Sequence, residues 1–327
     1  MTMTPLRRRG AALAAALLSA TIVLTACGSD GDDAGDAAAK TRTVKADNGT
    51  VEIPADPQRV VALGNTGQPF IDIGGKPVGL TEISASAFDL LPAEQKATAK
   101  AATNLGADTG EVDLEKLAGL KPDLILIQVP DAEFKAIEKQ LGAIAPTLYW
   151  GLDTEWKAFA DGLAEAGNLT DAVSKQKTEF TAKVTKIKGT YSKVIADAKF
   201  VAVDRWDSSD PGTFVITDIG CVEIAADDLG LNTPKAAAGG DPLAWTDLPF
   251  EKIAELSRYD VILYPVGADG QPKKAFAPVV ESNTWKALPT VSSGRALGVF
   301  CAGNNSYGPV LQYLDSLDRA LASLPKG

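Results

Sequence analysis

The most informative absence in this sequence is histidine: the chain has 327 residues and none of them is His. Without histidine there can be no Ser-His-Asp or Cys-His catalytic arrangement, and the usual zinc and copper sites lose a principal ligand. The sequence also lacks a GxxxxGK[ST] phosphate loop, and no GxGxxG motif follows a predicted strand. An enzyme would have to use a carboxylate pair or Ser-Lys chemistry, and no spacing singles out such groups. The sequence therefore argues against an enzyme.

Long apolar runs are also scarce. The stretch over residues 10–26 carries no charge and follows three arginines at positions 7–9. This layout is typical of a secretory signal peptide, and the stretch is shorter than the roughly 20 residues of a membrane-spanning helix. Its end, Leu24-Thr25-Ala26-Cys27, resembles the lipobox of bacterial lipoproteins, which implies a signal peptide over 1–26 and lipidation of Cys27. An ordinary signal peptide with an incidental cysteine is the alternative. The small, acidic residues that follow predict a flexible tether over 27–42.

Positive charge is in short supply. The chain has 32 Lys and Arg against 42 Asp and Glu, a net charge of −10. Removal of residues 1–26 would take away three arginines and no acids, leaving 29 basic residues against 42 acidic ones and a net charge of −13. Such a chain repels nucleic acid, so a nucleic-acid partner is disfavoured. The length predicts two domains.

Cysteine is equally rare, with three in the chain. Apart from Cys27, only Cys221 and Cys301 remain. Outside the cytoplasm an even pair usually forms a disulfide, which we predict here; two separate buried thiols are the alternative. A metal site at this pair is disfavoured because no histidine is available to complete it.

What the chain does contain is a repeat. Residues 113–127 read DLEKLAGLKPDLILI, and residues 249–263 read PFEKIAELSRYDVIL. Each copy predicts a short helix followed by a buried strand, and further strands and helices alternate on both sides. Between the copies, apolar residues recur at steps of three, four and seven, which is typical of a long amphipathic helix.

These patterns predict an α/β fold with two Rossmann-like lobes, each with a central parallel sheet, joined by one long α-helix. The expected boundaries are 43–169 for the N-terminal lobe, 170–198 for the connecting helix and 199–327 for the C-terminal lobe. Loops at the carboxyl ends of the strands should line a ligand cleft between the lobes.

Several segments together resemble a known family. They are DPQRVVALG at 56–64, NLGADTGEVDLEKLAGLKPDLILIQ at 104–128, LGAIAPTLYW at 141–150, and WKALP at 285–289 followed by GRALGV. With the lipobox and the long helix, their order is similar to that of the iron-siderophore and cobalamin class of ABC-transporter solute-binding proteins. The resemblance covers about residues 43–325.

The resemblance implies a monomeric, extracytoplasmic receptor, anchored to the cell membrane through its lipid, that delivers a ferric siderophore to a dimeric ABC permease. The siderophore itself holds the iron, so neither a cofactor nor protein metal ligands are implied. In this family one glutamate on each lobe docks on permease arginines, and Glu115 and Glu251 match that pattern. The alternative for both is helix chemistry, since acids are favoured in a first helical turn.

A receptor for a metal ion that is already enclosed in a chelate needs aromatic walls and a few fixed polar groups. The candidate ligand-binding residues are Asn65, Tyr149, Trp150, Arg205, Trp206, Trp245, Asn304, Asn305 and Tyr307. For the aromatic residues the alternative is packing at the rim of a lobe, for Arg205 it is an ion pair with Asp204 or Asp207, and for the asparagines it is turn formation.

The ligand class is less sharply indicated. Few arginines fall on the predicted loops, which favours a hydroxamate siderophore over an anionic tris-catecholate. Two other functions remain open: a surface interaction or sensor lipoprotein that transports nothing, and a receptor for cobalamin or haem.

Overall fold

Two five-stranded sheets and one two-stranded hairpin form the framework of the computed structural model. The structure describes residues 40–107, 111–206, 209–234, 247–303 and 305–325. The predicted signal peptide, Cys27, Trp245 and Asn304 lie outside these ranges. No helix within them is long and apolar enough to cross a membrane.

The first sheet is entirely parallel, as predicted. Its strands, in spatial order, are β5 (Thr103–Asn104), β4 (Gly79–Leu80), β3 (Val60–Gly64), β6 (Leu124–Gln128) and β7 (Thr147–Trp150). All five residues of β6 are buried, as its continuous apolar run requires. The antiparallel hairpin of β1 (Thr41–Ala46) and β2 (Gly49–Pro54) precedes this sheet. We call this sheet with the hairpin and its flanking helices lobe one.

The second sheet is mixed, which corrects the prediction that both sheets are parallel. Its strands, in spatial order, are β10 (Leu248–Pro249), β9 (Thr213–Ile216), β8 (Phe200–Asp204), β11 (Val261–Val266) and β12 (Ala296–Phe300). The strands β8, β11 and β12 are parallel, but β9 is antiparallel to both of its neighbours. The chain returns from β8 through a short loop, and a connection of that length allows only antiparallel pairing. This sheet with its flanking helices is lobe two.

Short helices cover the sheets. Those of lobe one are α1 (Gly67–Asp72), α2 (Ala85–Leu90), α3 (Ala93–Ala101), α4 (Leu114–Gly119), α5 (Asp131–Ile144) and α6 (Trp156–Ala166). Those of lobe two are α9 (Cys221–Glu223), which continues as a π-helix (Ile224–Asp228), a 3₁₀-helix (Phe250–Arg258), α10 (Ala277–Glu281), α11 (Asn283–Lys286), α12 (Pro289–Ser292) and α13 (Tyr307–Ala322).

The predicted long helix is present in two pieces, α7 (Thr170–Thr190) and α8 (Ser192–Asp197). They meet at Tyr191, whose backbone leaves the helical region with φ −112° and ψ 22°. With its 21 residues, α7 is about 31 Å long. Its buried side chains recur every seventh residue, at Val173, Phe180 and Ile187.

The connecting helix is attached to both lobes. Lys177 Nζ lies 2.7 Å from Asp161 on α6, and Lys186 Nζ lies 2.7 Å from Asp318 on α13. These ion pairs are exposed and contribute little stability individually. The apolar packing matters more, because α7 belongs to one core cluster that also contains residues of both sheets, among them Leu126 of β6.

A direct hydrogen bond also joins the lobes. The backbone N–H of Gly308, at the start of α13, donates to Asp72 Oδ2 at the end of α1 over 2.9 Å. Gln95 holds the other oxygen of the same carboxylate at 3.1 Å. Separating the lobes would break this bond and expose the shared core. These contacts therefore fix the spacing between the two lobes.

Candidate ligand cleft

A cavity of about 520 Å³ lies between the two lobes. We call it the inter-lobe cavity. Lobe one contributes Asn65, Gln128, Leu152, Asp153, Thr154, Glu155, Trp156, Lys157 and Phe159, and lobe two contributes Glu223, Ile224, Asp227, Asp228 and Asn305. Its position matches the predicted cleft.

The floor of this cavity on the lobe-one side is built from strand ends. Asn65 follows β3 and is exposed, and Gln128 is the last residue of β6. The two are tied together because the Asn65 N–H donates to the Gln128 backbone oxygen over 3.0 Å. Only 6% of Gln128 is exposed, and its Nε2 donates to the Gly151 carbonyl oxygen over 3.3 Å. That bond fixes the carboxamide at the wall of the cavity.

The start of α6 forms a second wall. Glu155 caps this helix by accepting a 3.0 Å hydrogen bond from the Ala158 N–H. Trp156 packs edge-on against Phe180 and Tyr307, with ring centroids 5.7 and 4.8 Å away. Behind the cavity surface, therefore, an aromatic cluster holds the indole in place.

The two lobes also meet electrostatically at this cavity. Lys157 Nζ of lobe one lies 2.6 Å from Asp228 Oδ1 of lobe two. The Glu223 carboxyl has a raised pKa, first because burial penalises its charge and then because Asp227 and Asp218 repel it. The lining thus contains five acidic residues and one lysine.

A smaller, apolar cavity of about 180 Å³ lies in lobe two. We call it the lobe-two cavity. It is formed at the carboxyl ends of β8, β11 and β12, with Leu263, Tyr264, Val299 and Tyr313 among its lining residues. Trp206 (37% exposed) and Ile219 (40%) line it too, and Leu152 (54%) lines the inter-lobe cavity. These three are the large apolar residues that are exposed in the described part of the chain.

A disulfide forms part of the wall of the lobe-two cavity. It joins Cys221, at the start of α9, to Cys301, the residue after β12, with the Cα atoms 6.1 Å apart. The pairing predicted from the cysteine count is therefore present in the structure.

Of the predicted binding residues, Asn65 and Asn305 line the inter-lobe cavity and Trp206 lines the lobe-two cavity. The structure places the other three described aromatic residues in the core. Tyr149, Trp150 and Tyr307 are 6%, 3% and 2% exposed. Tyr149 and Trp150 end β7, and both faces of a central parallel sheet are covered, so their side chains pack inward. Tyr307 begins α13 and packs against Trp156 and Phe180.

Each of these three has well-defined partners. Tyr149 stacks on Phe134 with ring centroids 3.9 Å apart and donates its O–H to Asp131; burial and that carboxylate raise the pKa of the phenol. It lines a larger cavity, of about 630 Å³, beside the β1–β2 turn on lobe one. Trp150 packs edge-on against Phe159 at 5.6 Å. None of the three lines the inter-lobe cavity, and their predicted role in ligand binding stays a prediction.

Arg205 binds backbone oxygens in the described part of the chain. Its Nε donates to the Thr213 carbonyl oxygen at 3.1 Å and its Nη1 to the Ala275 carbonyl oxygen at 2.8 Å. Nη2 lies 3.5 Å from the carbonyl oxygens of Ser209 and Asp210. The described contacts of the guanidinium are therefore with backbone oxygens of the β8–β9 loop and of the segment before α10. Asp207 lies outside the described residues, and the cleft role of Arg205 stays a prediction.

Glu115 and Glu251 occupy equivalent places in the two lobes. Each is exposed in the first turn of the helix that precedes a central strand, α4 before β6 and the 3₁₀-helix before β11. Asp113 caps α4 by accepting from the Lys116 N–H at 2.9 Å, whereas Pro249 precedes the 3₁₀-helix.

Sequence reasoning missed Gln128, Leu152, Trp156, Glu223 and Asp227. Gln128 ends an apolar strand, so the sequence gives no sign that its side chain lines a cavity. Glu223 and Asp227 look like acids on an ordinary solvated helix face. Trp156 was the one with a usable signal, because it follows a buried strand and begins an amphipathic helix.

Comparison with known proteins agrees with this geometry. A family model described as periplasmic binding protein matches residues 79–297. The iron(3+)-hydroxamate-binding protein FhuD of Bacillus subtilis (strain 168) is 29% identical over 304 residues, which cover 88% of this chain and 89% of that protein. The petrobactin-binding protein YclQ of the same organism is 31% identical over 182 residues, covering 53% of this chain and 54% of that protein.

Solved structures give the same result. The siderophore periplasmic binding protein from the fuscachelin gene cluster of Thermobifida fusca has a TM-score of 0.71 at 27% identity, covering 83% of this chain and 99% of that chain. The resemblance seen in the sequence is confirmed. Because the family model spans well over half of the chain, the protein belongs to the periplasmic binding protein family.

Proposed function

We propose that the protein is an extracytoplasmic receptor that binds a ferric siderophore and delivers it to an ABC permease for import. The observation that carries this proposal is the inter-lobe cavity. Residues of both lobes line it, and contacts between the lobes fix their spacing. Relatives whose names specify ferric hydroxamate and petrobactin binding support the ligand class. The family consists of substrate-binding proteins and not of enzymes.

The lining suits a metal that is already chelated. Trp156 and Leu152 offer apolar surface to the organic shell, and Asn65, Asn305 and Gln128 offer hydrogen bonds to its amide and hydroxamate groups. Among the described residues, no group of three or more His, Cys, Asp or Glu is placed to hold a bare metal ion. Trp206, beside the lobe-two cavity, would meet a part of the ligand that reaches lobe two.

A hydroxamate is the preferred chelating class. The FhuD relative, which covers most of this chain, is named for iron(3+)-hydroxamate binding. The carboxylates on the cavity lining also oppose an anionic tris-catecholate, since like charges in a cleft repel.

Delivery to the permease would use Glu115 and Glu251. Two exposed carboxylates on two rigidly connected lobes form a two-point contact, which sets register and steers encounter more than it adds affinity. We further propose that the receptor acts as a monomer on a dimeric permease and that Cys27 is lipidated, which would hold it near that partner.

Tryptophan fluorescence of the mature protein, titrated with ferric desferrioxamine B and with a ferric tris-catecholate, tests the proposal. We expect saturable quenching by the hydroxamate, weaker binding by Asn65→Ala, and no change in Asn283→Ala, an exposed residue of α11 outside the cavity. Flat titrations with every ferric chelate in the panel, checked by native mass spectrometry, would support a sensor or interaction lipoprotein instead.

A further inference from the structure

The lobe-two cavity contains a buried hydroxyl group that the fold leaves unpaired. Tyr313 of α13 lines this cavity and is 3% exposed. Its hydroxyl has no hydrogen-bond partner in the described part of the chain. Burial raises the pKa of the Tyr313 phenol, so the group keeps its proton and can donate it in a hydrogen bond. Native proteins rarely leave a buried donor unpaired, because the loss is costly, so this hydroxyl calls for an acceptor from a ligand.

The walls around this hydroxyl are mostly apolar. Leu263, Val299 and the Cys221–Cys301 disulfide contribute to them. The cavity has a volume of about 180 Å³. For comparison, an apolar cavity of about 150 Å³ takes up benzene. The lobe-two cavity therefore has room for an apolar group of about six or seven carbon atoms.

Two further polar side chains of the lining are already engaged by backbone. Asp204 Oδ1 accepts a hydrogen bond from the Arg205 N–H at 2.7 Å. Thr217 Oγ1 accepts from the Ile219 N–H at 3.4 Å. These bonds hold the loops that frame the cavity. A group that enters it would therefore meet apolar walls and one hydroxyl in need of an acceptor.

The lobe-two cavity is a neighbour of the inter-lobe cavity. Val222 lines the former and the next residue, Glu223, lines the latter, so one turn of chain borders both. After β12, Cys301 lines the lobe-two cavity and Asn305 lines the inter-lobe cavity. A chelate held between the lobes is thus within reach of lobe two through one of its arms.

We propose that the lobe-two cavity is a side pocket for a neutral, apolar arm of the ferric chelate, and that an oxygen of this arm accepts a hydrogen bond from Tyr313. The inference rests on the proposed siderophore-binding function and adds to it a preference for acylated ligands. A carbonyl oxygen supplies the acceptor, and a short hydrocarbon chain fills the apolar space. A charged arm is disfavoured, because burying an unpaired charge is expensive.

A series of acylated chelates tests the pocket. Ferric desferrioxamine B has a terminal amine that lies outside its iron-binding core, and this amine is converted to the acetyl, butanoyl, hexanoyl and decanoyl amides. All four products are neutral, because three hydroxamate anions balance Fe³⁺, so only the length of the arm varies. We expect affinity to rise by about fourfold for each methylene that is buried, and to stop rising between the hexanoyl and decanoyl arms, when the cavity is full.

A second pair of ligands tests the acceptor. The 4-oxohexanoyl and 5-oxohexanoyl amides have the length of the hexanoyl amide but carry a keto oxygen in place of a methylene group. The wild-type protein should bind one of them at least as tightly as the hexanoyl amide, because Tyr313 would compensate the burial of the keto oxygen.

Two Tyr→Phe variants locate the effect. Tyr313→Phe should weaken binding of the keto amide about tenfold relative to the hexanoyl amide, because the keto oxygen would be buried unpaired. Without ligand it should melt no lower than the wild type, since the hydroxyl it loses has no partner in the described part of the chain. Tyr191→Phe is the matched control. The Tyr191 hydroxyl donates to Asp318 and lines no described cavity, so its loss should lower the melting temperature and keep the wild-type affinity ratio.

The outcomes separate the two proposals. Equal affinity for every arm, or the same keto-to-hexanoyl ratio in the wild type and in Tyr313→Phe, overturns the side pocket and leaves siderophore binding intact. A lower melting temperature for ligand-free Tyr313→Phe overturns it too, because the hydroxyl would then already be satisfied. If no ferric chelate binds, with or without an acyl arm, both proposals fail together.

Discussion

The two lobes share a sheet order but differ at the edge that faces the ligand. In the five-stranded sheet of lobe one every strand is parallel, so each carboxyl end points to the same edge and the chain leaves it through a helix or loop, as at Asn65. In lobe two β9 runs backwards, and a hairpin loop that contains Trp206 reaches this edge instead. The Cys221–Cys301 disulfide also lies at this edge of lobe two.

This difference shows which parts of the fold are scaffold and which are specific. The central strands β3 and β6 of lobe one correspond to β8 and β11 of lobe two, and each second strand is preceded by a short helix with an exposed glutamate. The edges of the two sheets that face the ligand show no such correspondence. The scaffold is therefore repeated, and the glutamates proposed for docking with it, while each lobe supplies its own half of the cavity.

The largest expected effect comes from reversing the charge of the two glutamates proposed to dock on the permease. In Glu115→Lys/Glu251→Lys, each lobe would present a positive charge to permease arginines, so uptake of a ferric siderophore should stop. Ligand affinity should be unchanged, because neither residue lines a described cavity. Transport of radioactive iron by cells and fluorescence titration of the purified variant measure the two quantities.

The single variants sharpen this test. If both lobes dock, Glu115→Lys and Glu251→Lys should each reduce uptake, and by similar amounts. Normal uptake in the double variant would show that the repeated glutamates only support their helices.

The next effect should be confined to lobe two. Cys221→Ala/Cys301→Ala removes a crosslink across a separation of 80 residues. Loop-closure entropy for such a span predicts a loss of about 4 kcal/mol in the free energy of unfolding. Differential scanning calorimetry should then show lobe two melting before lobe one, whereas the intact protein melts in one transition because its core is shared.

Reduction of the wild-type protein by dithiothreitol is the matched control. It should reproduce the early transition without any change of sequence. An unchanged melting profile after complete reduction would mean that packing around the sheet, and not the crosslink, holds this edge.

The lobes also differ in how much the sequence predicted. Strands β3 and β6 have continuous apolar runs bounded by Gly or Pro, so the sequence predicts that both of their faces are buried. The sequence of β9 does not predict its direction, because Thr213–Ile216 is as apolar as a parallel strand and only the length of its connection decides the pairing. The break at Tyr191 was missed because the apolar spacing continues through it.

The candidate site was less predictable than the fold. Trp150 and Tyr307 were predicted at the cleft because they follow or end strand-rich segments, yet tertiary packing buries them. Glu223 and Asp227 come together with Glu155 only when the lobes meet, and nothing local in the sequence records that proximity. Charge in a cleft is a property of two distant segments, so the total charge of the chain did not reveal it.

A smaller effect should distinguish two arginines that bind carbonyl oxygens at opposite ends of their lobes. Arg205 lies at the ligand edge of lobe two, whereas Arg59, just before β3, binds the carbonyl oxygens of Leu120 and Lys121 at the far edge of lobe one. Each replacement by Leu should cost about 2 kcal/mol in the free energy of unfolding, because charge-assisted bonds are lost. Only Arg205→Leu should also weaken ligand binding, because it frees the loop that carries Trp206. Equal ligand affinity of the two variants would place that loop outside the site.

The smallest expected effect concerns the charge of the cleft itself. The pKa of Glu223 is raised by burial and by Asp227 and Asp218, so the folded protein binds a proton there more tightly than the unfolded chain does. Stability should therefore fall as pH rises through the window between the ordinary carboxyl pKa and the raised one. Glu223→Gln, which has no charge to bury, should lack that contribution and should melt about 1 °C higher at neutral pH. Glu94→Gln, on an exposed turn of lobe one, should show neither change. A melting temperature that is lower for Glu223→Gln at neutral pH would mean that the carboxylate has a favourable partner in the folded state, and the cleft would then be less negative than its lining implies.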